Sequence, residues 1–291
     1  MSWSYPAWTN LVYAGTHSTA VLAEAGLTAY CKHPLLRGVE IDRSFYGPLP
    51  ASAFRAYADQ TPADFRFLVK GHDECTVQRY PLHARYGKRA GERNERYLDA
   101  GYAAEHVVGP LLEGLGAQAF ALLFQFPPQE LEESPGRFAE RLHRFLEALP
   151  KAPFAYAVEL RNPERFVPAY GEALVAAGAI HCHNVWPGVP PLLAQVASLP
   201  PATRRPLLVR WLMRKGDTYE TASARGKPFG RLVLEDPENL AAVTRLVRGG
   251  ARHGVPTLVA IDNKAEGCAP ETIVRLAQAL AEPAAAPRNT D

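Results

Sequence analysis

Seven short apolar runs recur along this chain, at 38–42, 65–70, 119–126, 155–160, 179–183, 206–211 and 256–261. Each is rich in Val, Ile, Leu, Ala and Phe without a strict alternation with polar residues. That is the pattern of strands covered on both faces, as in a parallel sheet flanked by helices. Helical signals fall between the runs. The stretch 19–30 carries Val21, Leu22, Ala25 and Leu27. Ser134-Pro135 reads as an N-cap followed by Pro at the first helical position, leading into the stripe Phe138, Leu142, Phe145 and Leu146. Asp236-Pro237 repeats the signal ahead of Leu240, Val243, Leu246 and Val247, and Gly178 is placed to cap a helix ending at Ala177.

Strand and helix in alternation, at about one unit per 30 residues, predict an α/β fold of the TIM-like (β/α) barrel type. Two intervals are longer: 71–118 holds an Arg- and Tyr-rich insertion, and 212–255 a Gly/Lys/Arg loop and a helix. An eighth strand has to come from residues 1–8, so strand one is expected to be short, irregular or missing. With no linker and no internal repeat, 1–281 reads as a single barrel domain and the Pro/Ala-rich 282–291 as a disordered tail.

Composition excludes several function classes. The formal charge is +2, with 32 basic residues spread among 30 acids, which disfavours nucleic acid as a partner. Cys31, Cys75, Cys182 and Cys268 form no C-x-x-C pair, the pattern of buried reduced thiols. Without an apolar run of about 18 residues or a signal pattern, no membrane association and a cytoplasmic location are expected. There is no G-x-G-x-x-G and no Walker sequence.

Six blocks, in order, resemble a known family: Ser-Trp-Ser-Tyr-Pro-Ala-Trp at 2–8, Gly-Val-Glu-Ile-Asp-Arg-Ser-Phe-Tyr at 38–46, Phe-Arg-Phe-Leu-Val-Lys at 65–70, Leu-Leu-Phe-Gln-Phe-Pro-Pro at 122–128, Ala-Val-Glu-Leu-Arg-Asn-Pro at 157–163 and Ile-Asp-Asn-Lys-Ala-Glu-Gly at 261–267. The chain is similar to the YecE-like domain of unknown function 72, whose members are TIM barrels of unsettled activity. The resemblance implies the fold and no mechanism. It also implies a strand and a Gly-Thr-Ser-like turn before the first block, which this chain lacks, and paired Asn residues at the last strand, where Asp262 precedes Asn263.

In a barrel, function gathers at the C-terminal strand ends. Alternation puts Glu40 with Asp42, Glu159 with Arg161, and His181 with His183 on common faces. Lys70, His72, Gln125, Arg210 and Asp262 fall at the ends of other strands. Charges inside apolar strands need partners or a purpose, and one or two bracing ion pairs would not account for so many. The expected catalytic residues are Glu159, as general acid or base, with Lys70 and Asp262. The expected binding residues are Glu40, Asp42, Tyr46, Gln125, Arg161, His183, Trp186, Arg210, Asn263, Trp3 and Tyr5: arginines for an anionic group, aromatic rings for a wall. The leading expectation is a metal-independent acid–base enzyme, a hydrolase, lyase or isomerase, acting on a small anionic or polar metabolite without a cofactor. The alternatives are a non-catalytic module binding a ligand or partner, a metal-dependent hydrolase using Zn or Mn at Glu159, His181, His183 and Asp262, and a protein acting on nucleic acid through 79–96 and 204–231. The basic stretch 223–231 reads as a solvated loop, with closure over an anion as its functional alternative. Oligomeric state is not legible.

Overall fold

In a computed structural model the chain is described over residues 2–4, 26–130 and 132–283. Eight parallel strands close in sequence order into a barrel. They are β1 (Ser2–Ser4), β2 (Gly38–Ile41), β3 (Arg66–Lys70), β4 (Ala119–Phe126), β5 (Ala155–Leu160), β6 (Ile180–Val185), β7 (Leu207–Trp211) and β8 (Thr257–Ile261). The seven expected runs are all strands. The eighth, β1, has three residues, pairing with β2 through Ser2, Trp3 and Ser4 and with β8 through Ser2 and Trp3. Seven ordinary strands and one very short one make the ring. The stretch 19–25 and the tail from 284 lie outside the described residues.

The helices used below are α1 (Ala51–Ala58), α2 (Gly109–Gly114), α3 (Pro135–Glu147), α4 (Pro168–Ala176), α5 (Leu192–Ser198), α6 (Tyr219–Gly226), α7 (Pro237–Arg252) and α8 (Ala269–Ala281). Their ends follow the sequence cues. The Ser134 hydroxyl accepts the Arg137 amide of α3, and the Asp236 carboxylate accepts the Asn239 amide of α7 at 3.1 Å. Gly178 takes φ +66° after α4, and the Ala179 amide returns to the Leu174 carbonyl at 2.9 Å. This is the left-handed helix ending that favours glycine.

Strand alternation divides the core in two. Phe67, Val69, Leu122, Phe124, Val158, Leu160, Val209 and Ile261 pack outward in one cluster with helix residues such as Phe138, Leu142, Leu174 and Ile273. Their strand neighbours Leu68, Ala121, Leu123, Ala157, Ile180, Cys182, Leu208, Leu258 and Ala260 form a second cluster that fills the lumen. Continued one step toward the strand ends, the same inward alternation reaches Glu40, Lys70, Gln125, Glu159, Asn184 and Arg210. An apolar plug therefore supports a charged upper layer.

Candidate functional site at the barrel mouth

Arg210 of β7 is the hub of that layer. Its Nε and Nη2 donate to the two oxygens of Glu40 on β2, at 3.0 and 2.6 Å. Its Nη1 donates to Glu159 on β5 at 2.5 Å and to Gln125 on β4 at 3.2 Å. Arg161, just past β5, donates from Nε to Glu159 at 2.8 Å and from Nη2 to Gln125 at 3.1 Å. Its guanidinium lies 3.7 Å from the Trp186 ring centre. The Lys70 ammonium stands 2.8 Å from Asp42, 3.7 Å from Glu40 and 4.8 Å from the Phe45 ring centre. Three cations thus meet three carboxylates. Glu40, Glu159 and Arg210 are sealed, whereas the side chains of Lys70 and Arg161 are 11% exposed and that of Asp42 30%. Access from water runs through these last three.

The environments pull the carboxylates apart. Burial works to raise Glu159, but the Arg210 and Arg161 guanidiniums outweigh it and hold the carboxyl down at about 2. Burial pushes Glu40 up to about 7 against the pull of Arg210, and the nearby Asp42 charge adds to the rise. Asp42 is also subject to burial, yet Lys70 and the hydrogen bond with Glu40 take it below the ordinary range. The guanidiniums therefore favour the ionised form of Glu159, and burial favours the protonated form of Glu40.

The other expected site residues disperse. His183 shares the outward face of β6 with His181, whose Nδ1 meets the Tyr170 hydroxyl at 2.8 Å and whose Nε2 meets Gln195 at 3.2 Å, beneath α4 and α5. The two rings lie 4.9 Å apart, and both nitrogens of His183 lack a hydrogen-bond partner among the described residues. Alternation that sends Cys182 inward sends both histidines away from the mouth, so His183 does not join the cluster. Glu159 and the His pair accordingly lie on opposite sides of the wall, and among the described residues no three His, Cys, Asp or Glu side chains gather as a metal-binding set. Asp262 follows β8 on the inward parity, but its carboxylate is engaged by the Lys264 amide and ammonium, each at 2.8 Å. Asn263 braces its own loop, its side-chain oxygen accepting the Ala269 amide at 2.8 Å. Tyr46 is exposed, in edge contact with Phe45. Trp3 lies in β1 opposite Val39 and Ile261, and Tyr5 falls outside the described residues.

A neighbouring cluster escaped the sequence reading. Asp73 and Glu74, buried just after β3, anchor the insertion. Asp73 accepts from Arg85 and from the Tyr86 hydroxyl, each at 2.6 Å, and Glu74 accepts from Arg89 and Arg96. His72 faces Asp73 at 3.5 Å and bonds the Tyr102 hydroxyl at 2.7 Å. The only signal was two acids directly after a strand end. Their consequence is that three of the arginines in 79–96, Arg85, Arg89 and Arg96, are paired with two buried carboxylates. Nor is 223–231 a free loop. Its first four residues end α6, and beyond it the amides of Val233 and Leu234 bond the Glu266 carbonyl at 2.9 and 3.2 Å.

A charged layer of this kind, on an eight-stranded barrel with a minimal first strand, can be compared with known proteins. The family described as "Protein of unknown function DUF72" matches residues 1–291. The chain belongs to the DUF72 family. Two crystal structures of the DUF72 protein EF0366 from Enterococcus faecalis V583 are 18% identical to it. One gives a TM-score of 0.60 over 89% of this chain and 95% of that one, the other 0.63 over 97% and 95%. The DUF72 protein TM1631 from Thermotoga maritima MSB8 is 19% identical, with a TM-score of 0.57 over 97% of this chain and 100% of that one. At such identities the likeness speaks to the DUF72 fold alone. A comparison with curated proteins finds no match. Among the described residues, no helix is long and apolar enough to cross a membrane.

Proposed function

We propose that this DUF72 barrel is an acid–base enzyme acting on a small anionic metabolite at the mouth, without a metal or organic cofactor. The observation that carries the reading is the split between two adjacent carboxylates, Glu40 raised to about 7 and Asp42 lowered, with Lys70 between them. A pair whose environments push its members apart supplies an acid and a base at one pH. The role that sequence assigns to Glu159 thus passes to the Glu40–Asp42 pair, in which Asp42, its side chain 30% exposed, faces the substrate with sealed Glu40 behind it, and Glu159 becomes the anion that positions Arg161 and Arg210. Arg161, flat against Trp186 and partly exposed, suits a carboxylate or phosphate of the substrate, as does Lys70. With all six charges present the layer is neutral. Protonated Glu40 leaves it at +1, so an anion binds better below pH 7.

The test is product formation, followed by NMR, from a panel of phosphate esters, 2-keto acids and 2-hydroxy acids, with and without added Zn or Mn. Glu40→Gln should lower turnover at least a hundredfold with binding retained, while Arg161→Gln weakens binding. Turnover only with added metal would defeat the cofactor-free reading. A second reading, a non-catalytic ligand-binding module, is favoured by Arg210's four contacts, which occupy four of the hub's five N–H donors with protein partners. Saturable binding without conversion of any panel member would decide for it.

A further inference from the structure

We infer that the opposite end of the barrel carries a second site, for a small phosphate ester with an apolar or aromatic body. A cleft of about 420 Å³ opens there between α5 and α7, where β7 begins. That is the size of a small-molecule pocket. Leu207, Leu246 and Val255 supply apolar lining. Arg204, Arg205, Arg245, Arg252 and His253 line it as well, and no carboxylate does.

The charge is not balanced elsewhere. Arg161 and Arg210 of the mouth and Arg85, Arg89 and Arg96 of the insertion are matched to acids, whereas none of these four makes an ion pair among the described residues. The sequence around them explains why: no Asp or Glu occurs from 173 to 216, or from 239 to 261. Two acid-free stretches, remote in sequence, build one basic hollow. Complementing the C-terminus of α7 would account for Arg252 and His253. It does not account for Arg245, two turns earlier, or for Arg204 and Arg205 on another segment.

A second observation points to an occupant. Arg245, Gly249 and Arg252 are spaced as one face of α7, and that face lines the cleft. A side chain added at Gly249 would meet nothing within 4 Å, so the fold does not require glycine there, although glycine weakens a helix interior. Gly250 is different: a Cβ there would stand 2.9 Å from the Thr257 hydroxyl. Packing explains Gly250. Gly249 leaves the space between Arg245 and Arg252 open, as a ligand there would need. Guanidinium groups match phosphate oxygens in pairs, and the apolar lining takes the body of the ester.

Calorimetric titration of the full chain with adenosine 5′-monophosphate, phenyl phosphate, adenosine and inorganic phosphate tests the site. Both esters should bind saturably, at least tenfold tighter than either adenosine or phosphate. Arg204→Gln with Arg245→Gln should weaken them at least tenfold. Gly249→Leu should abolish binding while the melting temperature holds or rises, and Glu40→Gln at the mouth should leave it intact. Absence of saturable ester binding, inorganic phosphate binding as tightly as the esters, or affinity indifferent to both cleft variants would overturn the assignment. Loss of binding in Glu40→Gln alone would move the ligand to the mouth.

Discussion

At the residue scale the central question is what the buried charges contribute. An ion-pair network sealed from water is not automatically stabilising, but removing one member leaves its partners desolvated and unmatched. Arg210→Met leaves Glu40 facing only Lys70, at 3.7 Å, and Glu159 only Arg161, and should cost about 3–5 kcal/mol in urea unfolding. A cost below about 1 kcal/mol would mean that water reaches the layer. The outward histidines give a separate prediction. Burial takes His181 from 6.5 down to about 4 and drives His183 well below 6.5. Both stay neutral in the fold, while the unfolded chain takes up protons from pH 6.5 downward. Their contribution is therefore complete above pH 6.5 and is lost as pH falls toward 4. For His181 alone the loss between pH 7.5 and 5 is about 2 kcal/mol. Unfolding at the two pH values should show that slope in the native chain and a shallower one in His181→Asn; equal slopes would acquit His181. These residues also mark how far the site was legible. Glu40, Glu159 and Arg210 could be grouped because a charge in an apolar strand needs a partner. His183 could not be placed, because a run apolar on both faces carries no sign of which parity faces the lumen.

At the element scale, helix starts and stops were written locally and were legible. Ser134-Pro135, Asp236-Pro237 and Gly178 act through their own backbone neighbours, so no tertiary knowledge was needed. The stretch 223–231 was not, since the Thr218 capping box that draws its first residues into α6 lies outside it and α6 has little amphipathic pattern. The pair Gly249 and Gly250 separates intrinsic helix preference from packing within α7. Gly249→Ala adds a methyl in open space and should stabilise by about 0.5–1 kcal/mol. Gly250→Ala must displace Thr257 and should destabilise by about 1 kcal/mol or more. Thermal unfolding of the two variants should shift in opposite directions; a common direction would refute the assignment of their different roles.

At the scale of the whole molecule, barrel topology was legible from spacing alone, and its weakest part was visible as an absence. Three residues in β1 supply what the other strands supply with four to eight. Removing residues 1–4 should open edges on β2 and β8, lowering the melting temperature and producing concentration-dependent association in sedimentation. A monomer with an unchanged melting temperature would show that β1 does not close the ring. The contact between Arg210 and Glu40 gains a mechanical meaning here. It ties β7 to β2 across 170 positions of sequence, spanning the arc that contains β8 and β1. One guanidinium is thus a clasp over the seam, its Nε and Nη2 holding both oxygens of Glu40. In this barrel the bond pair that lines the mouth also bridges the wall across its shortest strand.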